Sequence, residues 1–250
     1  MKNFTNPNSY EYLFKTSNTA ERTRQVRDLF SKIAGRYDFM NRMMSLGLDL
    51  RWRHLAIQEA KFKPGSRILD LGIGTGDMAV KLLQQVPNCR LVGIDNCWDL
   101  MRLGQRKPRL KRASPAIQMV QGDGRFFPFD ENTFDGVVAG FSVRNIPDSP
   151  RVFSEIYRVL VPGGKCVLLE MVPPDGKLNQ MLFKLYFKRL VPLLGKWFGS
   201  DLEAYAYLYP SIKNFLSAPQ IKQALPAAGF TSVSIQNFMF RIITLCIAEK

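Results

Sequence analysis

The spacing of hydrophobic and polar positions changes several times along the chain, and each change marks an element. Residues 1–25 are mostly polar and read as a loose N-terminal extension. From Val26 onward, Val26, Leu29, Phe30 and Ile33 fall at helical spacing, so residues 26–62 read as a helical prelude. Between residues 63 and 172, short apolar runs alternate with helical patterns. Ile68–Leu71, Arg90–Asp95, a run ending in Met119–Gly124, Phe134–Gly140 and Lys165–Glu170 read as five strands, with helices over 77–86, 97–107 and 149–160. That alternation predicts parallel βαβ units with right-handed crossovers. Pro173-Pro174-Asp175-Gly176 is a break, and an aromatic, basic helical segment follows from Leu178 to Phe198. A helix over 217–228 stops at Gly229, and strands near 231–238 and 242–248 pair antiparallel at the sheet edge. The expected fold is α/β: a doubly wound, mostly parallel seven-stranded, Rossmann-like sheet with an antiparallel terminal hairpin. It forms one domain over 26–250, capped by helical segments at 26–62 and 173–216.

The most informative stretch is Leu69-Asp-Leu-Gly-Ile-Gly-Thr-Gly-Asp77, a strand, a glycine loop and a helix start. Glycines alternate at 72, 74 and 76, so the spacing is G-x-G-x-G rather than the G-x-G-x-x-G that seats a diphosphate. Asp77 stands where the last dinucleotide glycine would fall, and with Asp70 it favours a cationic ligand. Asp95 ends the second strand, about twenty residues on, where an acid accepts ribose hydroxyls. Asp123 and Gly124 end the third strand and Gly140 the fourth. Taken singly, each aspartate reads as a cap or turn residue; their recurrence at successive strand ends is what points to a ligand.

The glycine loop resembles the first motif of S-adenosylmethionine-dependent (class I) methyltransferases. Other segments make the likeness specific: Tyr37-Asp-Phe-Met-Asn41-Arg-Met-Met-Ser45-Leu-Gly-Leu-Asp-Leu-Arg-Trp52-Arg53, Phe141-Ser-Val-Arg144-Asn145-Ile, Tyr157–Glu170, Tyr207-Leu-Tyr-Pro-Ser211-Ile and Ala227-Ala-Gly-Phe230. Together they resemble the ubiquinone/menaquinone biosynthesis C-methyltransferases from about residue 24 to the end. The resemblance implies methylation of a ring carbon of a polyprenylated quinol, with demethylmenaquinol the leading substrate. It implies cofactor contacts from Asp70, Gly72, Gly74, Thr75, Gly76, Asp95, Asn96, Asp123, Gly124 and Gly140. Asp123 would face the adenine amino group. Arg144 and Asn145 would act on the quinol, and Tyr37, Asn41, Ser45 and Trp52 would shape its side of the cleft. Arg144 stays protonated, so its role is to stabilise developing quinolate charge or orient a water rather than to act as a base. The chain departs from the family pattern at Asp49, where a histidine is usual, and at Gly140, Ser142 and Val172.

Composition narrows the alternatives. The single histidine, His54, and four scattered cysteines (Cys89, Cys97, Cys166, Cys246) offer no metal-ligand spacing and no Ser–His–Asp triad, so reduced buried thiols of a cytoplasmic protein are expected. The formal charge of +14 asks for an anionic partner. The basic cluster from Arg102 to Arg112 lacks interleaved aromatics, so no nucleic acid is expected, although an RNA or small-molecule methyltransferase and a non-catalytic cofactor-binding protein stay open. The segment 183–198 mixes Lys184, Lys188, Arg189 and Lys196 with aromatics and suits peripheral contact with an anionic membrane. Its bland alternative is a lid helix with solvated lysines. A homodimer and a monomer are both compatible with the sequence.

Overall fold

A computed structural model describes residues 10–14, 16, 18–112, 117–187 and 202–250. Three helices precede the sheet: α1 (Thr19–Ile33), α2 (Tyr37–Ser45) and α3 (Leu48–Ala60). The sheet then builds as β1 (Arg67–Leu71), α4 (Asp77–Gln85), β2 (Arg90–Asp95), α5 (Trp98–Arg106), α6 (Pro108–Arg112), β3 (Ile117–Gln121), β4 (Phe134–Gly140), α7 (Ser149–Val159) and β5 (Leu160–Met171). Helices α8 (Lys177–Leu185), α9 (Leu202–Lys213) and α10 (Ala218–Ala227) precede β6 (Ser232–Phe238) and β7 (Ile243–Glu249).

The seven strands run in the order β3-β2-β1-β4-β5-β7-β6. Pairings from β3 through β5 are parallel, and β7 is antiparallel to both β5 and β6. Because β1 and β4 are neighbours while β2 and β3 lie beyond β1, the winding reverses between them. Their C-terminal ends open the crevice where such sheets bind ligands.

Adjacent strand residues point to opposite faces, and each face has its own core. Ile68, Val138 and Leu245 pack with Trp52 and Ile57 of α3 and Leu82 of α4. Leu69, Val137 and Cys246 pack with Phe153 and Ile156 of α7 and Leu225 of α10. All four cysteines are buried and unpaired.

Three boundaries differ from the sequence pattern for identifiable reasons. The first helix starts at Thr19, seven residues before the first periodic apolar position, because the Asn18 side chain accepts the Glu21 amide and closes its N-terminus. Ahead of it, Glu11–Phe14 forms a 3-10 turn whose Leu13 is buried against Val26, Leu29 and Tyr207, so this stretch is packed rather than loose. The prelude is also broken: Leu46 and Gly47 both take left-handed backbone angles, which turns α2 into α3. Within the segment 178–198, α8 ends at Leu185, and residues 188–198 lie outside the described residues.

Candidate active site

The loop after β1 explains its glycines one by one. Gly72, Gly74 and Gly76 all have positive φ, which glycine adopts without penalty. A Cβ on Gly72 would meet Ser142 Cβ at 2.3 Å, and one on Gly76 would meet Leu110 Cδ1 at 2.3 Å. Those two glycines therefore admit neighbouring protein, and Gly76 is not on the cavity wall. At Gly74 the nearest atoms are 3.9 Å away, so that backbone faces open space. The family resemblance implies cofactor contact for all three, whereas Gly72 and Gly74 alone line the cavity.

One cavity opens at this loop, and a second shares part of its wall. The first, about 730 Å³, is lined by Gly72, Gly74, Asp95, Asn96, Asp123, Gly124 and Gly140 among others, which gathers seven of the ten expected cofactor residues. The second, about 700 Å³, is lined by apolar residues together with Tyr37, Asn41, Ser45, Asp49, Arg53 and Arg144. Phe30, Tyr37 and Phe141 line both. Phe141 holds a left-handed backbone, φ 64°, which is costly for an aromatic residue. Its ring packs edge-on to Trp52 and under the Arg53 guanidinium, 4.8 Å away. Trp52 is thus placed behind the partition in the core and does not line the second cavity.

In the first cavity the Asp95 carboxylate accepts the Gly74 and Cys97 amides, each at 2.8 Å. Burial pushes its pKa up, and the backbone amides partly offset that. Each oxygen keeps a lone pair for a hydroxyl donor. Asp123 is bound by Arg125, with Nη2 to Oδ2 at 2.6 Å. Burial raises its pKa, but Arg125 outweighs that and holds the carboxyl below its ordinary value.

Asp70, Thr75 and Gly76 are outside the cavity lining. Thr75 Oγ1 donates to Asp38 Oδ1 at 2.5 Å. Asp77, expected to favour a cationic ligand, is instead consumed by protein: Arg42 Nη2 lies 2.5 Å from Oδ2 and Lys107 Nζ 2.9 Å from Oδ1. Asp49, where the resembling family has histidine, accepts Ser45 Oγ at 2.8 Å and pairs with Arg42 and with Arg53 at 3.1 Å. An imidazole has no negative charge with which to bridge two guanidinium groups.

Asp70 is the orphan of the site. It is 1% exposed, and neither carboxylate oxygen has a partner in hydrogen-bond geometry. Burial raises its pKa from 3.8 to about 7, with Arg53 opposing and Asp95 and Asp77 reinforcing; the Ala79 amide favours the charged form only weakly. A buried acid beneath the loop without a hydrogen-bond partner for either oxygen, a free backbone at Gly74 and a two-faced acceptor at Asp95 fit a ligand carrying positive charge and a ribose. Folded Asp70 keeps its proton to higher pH than unfolded Asp70, so its contribution to stability is full below pH about 4 and is lost as pH rises to about 7. Asp70→Asn is therefore expected to stabilise the cofactor-free protein near pH 8 by about 1–2 kcal/mol and to leave stability near pH 3.5 unchanged. Denaturant melts at the two pH values check this; equal effects at both would exclude the buried charge as the cause.

Around the second cavity, Arg144 is buried, not at the surface. Its Nη1 pairs with Glu170 Oε1 and donates to the Phe141 carbonyl at 2.7 Å. Asn145 lines the first cavity rather than the second; its Nδ2 donates to the same carbonyl at 3.3 Å, and its Oδ1 accepts the hydroxyl of Tyr207, which lines the second, at 3.0 Å. Burial raises the Tyr207 pKa to about 12, so it remains a donor. Burial likewise raises the pKa of Tyr37, which is hydrogen-bonded with Asn41. Arg22 Nη2 reaches the Arg144 carbonyl at 3.3 Å. Glu170, Tyr207, Arg22 and Arg53 were not singled out as site residues in the sequence. The presence of Glu170, Tyr207 and Arg53 inside family-like motifs was their only signal, and Arg22 had none. Among the described residues, no group of three or more His, Cys, Asp or Glu side chains is placed to hold a metal.

The strand order, the antiparallel seventh strand and the cavity at the β1/β4 switch define a class I methyltransferase fold. The fold is shared, at TM-score 0.61 and 20% identity over 88% of this chain and 93% of the other, with a putative S-adenosyl-L-methionine-dependent methyltransferase of Methanococcus maripaludis. It is shared also with a Haemonchus contortus phosphoethanolamine N-methyltransferase solved with S-adenosyl-L-methionine, at TM-score 0.57 and 22% identity; the match covers 74% of this chain and 38% of that one.

Residues 16–250 match the ubiE/COQ5 methyltransferase family, and the chain belongs to it. Similar relatives include the ubiquinone/menaquinone biosynthesis C-methyltransferase UbiE of Geobacter sulfurreducens, 36% identical over 92% of this chain and 90% of that one. The demethylmenaquinone methyltransferase of Thermus thermophilus is 36% identical over 89% of this chain and all of its own length.

Proposed function

We propose that the protein uses S-adenosylmethionine to methylate a ring carbon of a polyprenylated quinol, demethylmenaquinol before other quinone precursors. The observation that carries the reading is the pair of adjoining cavities, one at the strand ends carrying Asp95, Asn96 and Asp123 and one more apolar, sharing Phe30, Tyr37 and Phe141. Bound S-adenosylmethionine supplies a methyl group already made electrophilic by its sulfonium. Asp95 would hold the ribose, Gly74 would let the ligand meet the backbone, and Asp123 and Gly124 would border the adenine. The Phe30, Tyr37 and Phe141 rings form the shared wall that keeps water from the junction.

A quinol ring carbon becomes nucleophilic as the adjacent hydroxyl loses its proton: the negative charge left on that oxygen spreads onto the ring carbon, which would take the methyl as the methyl–sulfur bond breaks and then lose its own hydrogen as a proton. Arg144, already in place before charge develops, would stabilise it. Asn145, fixed by Tyr207 and the Phe141 carbonyl, would hold a quinol oxygen or the water that takes the proton. Tyr37, Asn41 and Ser45 would line the ring's path into the apolar cavity. The deciding experiment is transfer of a labelled methyl group to demethylmenaquinol, with product mass and ring position determined and with RNA as a control acceptor. Methylation of RNA alone would overturn the reading.

No helix among the described residues is long and apolar enough to cross a membrane. Peripheral contact with an anionic bilayer is the second part of the proposal; it would bring the enzyme to a prenylated substrate. Its support is a stripe of apolar side chains exposed among the described residues, Leu178, Met181 and Leu185, at helical spacing on α8 beside exposed Lys177 and Lys184. The Tyr186 hydroxyl donates to the Met44 carbonyl, which ties this end of α8 to the turn carrying Leu46, 83% exposed. Replacing Leu46 and Met181 by Glu is expected to cut sedimentation with anionic liposomes about tenfold while sparing activity on a short-chain quinol. Equal sedimentation of variant and wild type would remove this surface from the proposal. A homodimer stays a proposal for analytical ultracentrifugation.

A further inference from the structure

Arg144 has fewer free donors than its position suggests. Nη1 is engaged by Glu170 and by the Phe141 carbonyl, and Nε is buried without a partner. Because Arg144 lines the apolar cavity, Nη2 is the donor left for a ligand there. The element that enforces this arrangement is Glu170, the penultimate residue of β5, 2% exposed. Its Oε1 accepts the Met171 amide at 2.9 Å, and its Oε2 accepts the Arg144 amide at 3.2 Å. The carboxylate is thus anchored by two backbone groups before it meets the guanidinium. Its position does not depend on where the Arg144 side chain goes, whereas the side chain's position depends on it. Glu170 does not line either cavity, so it cannot touch a ligand in them.

Charge adds a second consequence. A lone guanidinium beside an apolar cavity would be strongly disfavoured, while a guanidinium paired with a buried carboxylate is neutral overall. The pair still presents a polarised N–H toward the cavity. Such a group accepts a protonated quinol without forcing its ionisation and gains attraction as charge develops on the ring oxygen.

We propose that Glu170 is the positioning residue of the reaction: it turns Nη2 of Arg144 toward the quinol oxygen and keeps the pair neutral, so that the quinol enters protonated and ionises only in the site. The inference rests on the quinol reading above. Glu170→Gln keeps the shape and an acceptor for the backbone but removes the charge. It is expected to lower kcat between about 10- and 100-fold, because a donor displaced by an ångström loses most of its effect, with KM for S-adenosylmethionine unchanged within about twofold. The unpaired Arg144 cation should also favour the quinolate, so the acidic limb of the kcat–pH profile, which reports ionisation in the bound complex, should move down by about one unit. Glu170→Asp, which keeps the charge, should retain the wild-type limb at reduced kcat, and it carries the test if the Gln variant does not fold.

Two results from the Gln variant would overturn the assignment in a wild type that methylates demethylmenaquinol. One is a Gln variant with wild-type kcat. The other is a Gln variant with reduced kcat, an unmoved limb and a lowered melting temperature, which is what a merely structural residue gives; an Asp variant whose limb moves counts against it equally. A wild type inert toward the quinol overturns the functional reading itself, and the assignment with it.

Discussion

Arg144→Lys should lower kcat about 100-fold or more while the affinity for S-adenosylmethionine stays within about twofold of wild type. Lysine keeps the charge but has a single nitrogen, so an ammonium held by Glu170 and the Phe141 carbonyl has no second nitrogen to place where Nη2 lies. Loss of one preorganised donor to a developing oxyanion costs about 10²–10³ in rate. Lysine is the informative replacement. Alanine would leave the Glu170 charge buried without its partner, at about 3–5 kcal/mol of stability, and would confound rate with unfolding. Single-turnover kinetics on folded protein, with cofactor binding by calorimetry, separate the two effects. A variant with normal turnover and native circular dichroism would take Arg144 out of the mechanism.

The second large effect concerns the cofactor. Asp95→Ala should weaken S-adenosylmethionine binding by about 1–3 kcal/mol, the range for charge-assisted hydrogen bonds, or roughly 5- to 150-fold in Kd. The same change frees the Gly74 and Cys97 amides that now orient the loop and the start of α5. Gly74→Val should weaken binding further. At Gly74 the fold has room for a Cβ, with nothing nearer than 3.9 Å, so the added bulk falls on the ligand, and the positive φ strains a branched residue. Gly72→Val is the contrasting variant: its Cβ meets Ser142 Cβ at 2.3 Å, so it should first lower thermal stability. Calorimetric Kd values beside melting temperatures sort the three variants. Unchanged Kd for both Asp95→Ala and Gly74→Val would mean that the cofactor lies elsewhere.

Much of this site was legible because strand ends announce themselves. A short apolar run followed by glycine or aspartate marks where a buried strand leaves the sheet, and parallel topology brings those ends together. Asp95, Asp123 and Gly140 needed no tertiary knowledge to be placed on one rim. The same reasoning overreached at Asp77, whose charge was assigned to a ligand. Its partners are Arg42 on the prelude and Lys107 after α5, 35 and 30 residues away, and no local pattern reveals them.

The sequence by itself determined the order of strands and helices, the antiparallel finish, the switch-point loop and the family. Those properties depend on local periodicity, on backbone freedom at glycines and on contiguous motifs, all of which a linear string carries. Tertiary structure alone decided which polar groups are spent on the protein and which stay available. Asp70 reads like any strand aspartate until its burial without a partner is seen. Glu170 is an ordinary strand residue until it meets Arg144 across 26 positions, Tyr207 an ordinary helix tyrosine until it meets Asn145 across 62, and Arg22 part of a polar leader until it reaches the Arg144 carbonyl across 122. Hydrogen bonds and ion pairs act over about 3 Å of space whatever the separation in sequence, so the partners of a buried charge are settled only when the chain has packed.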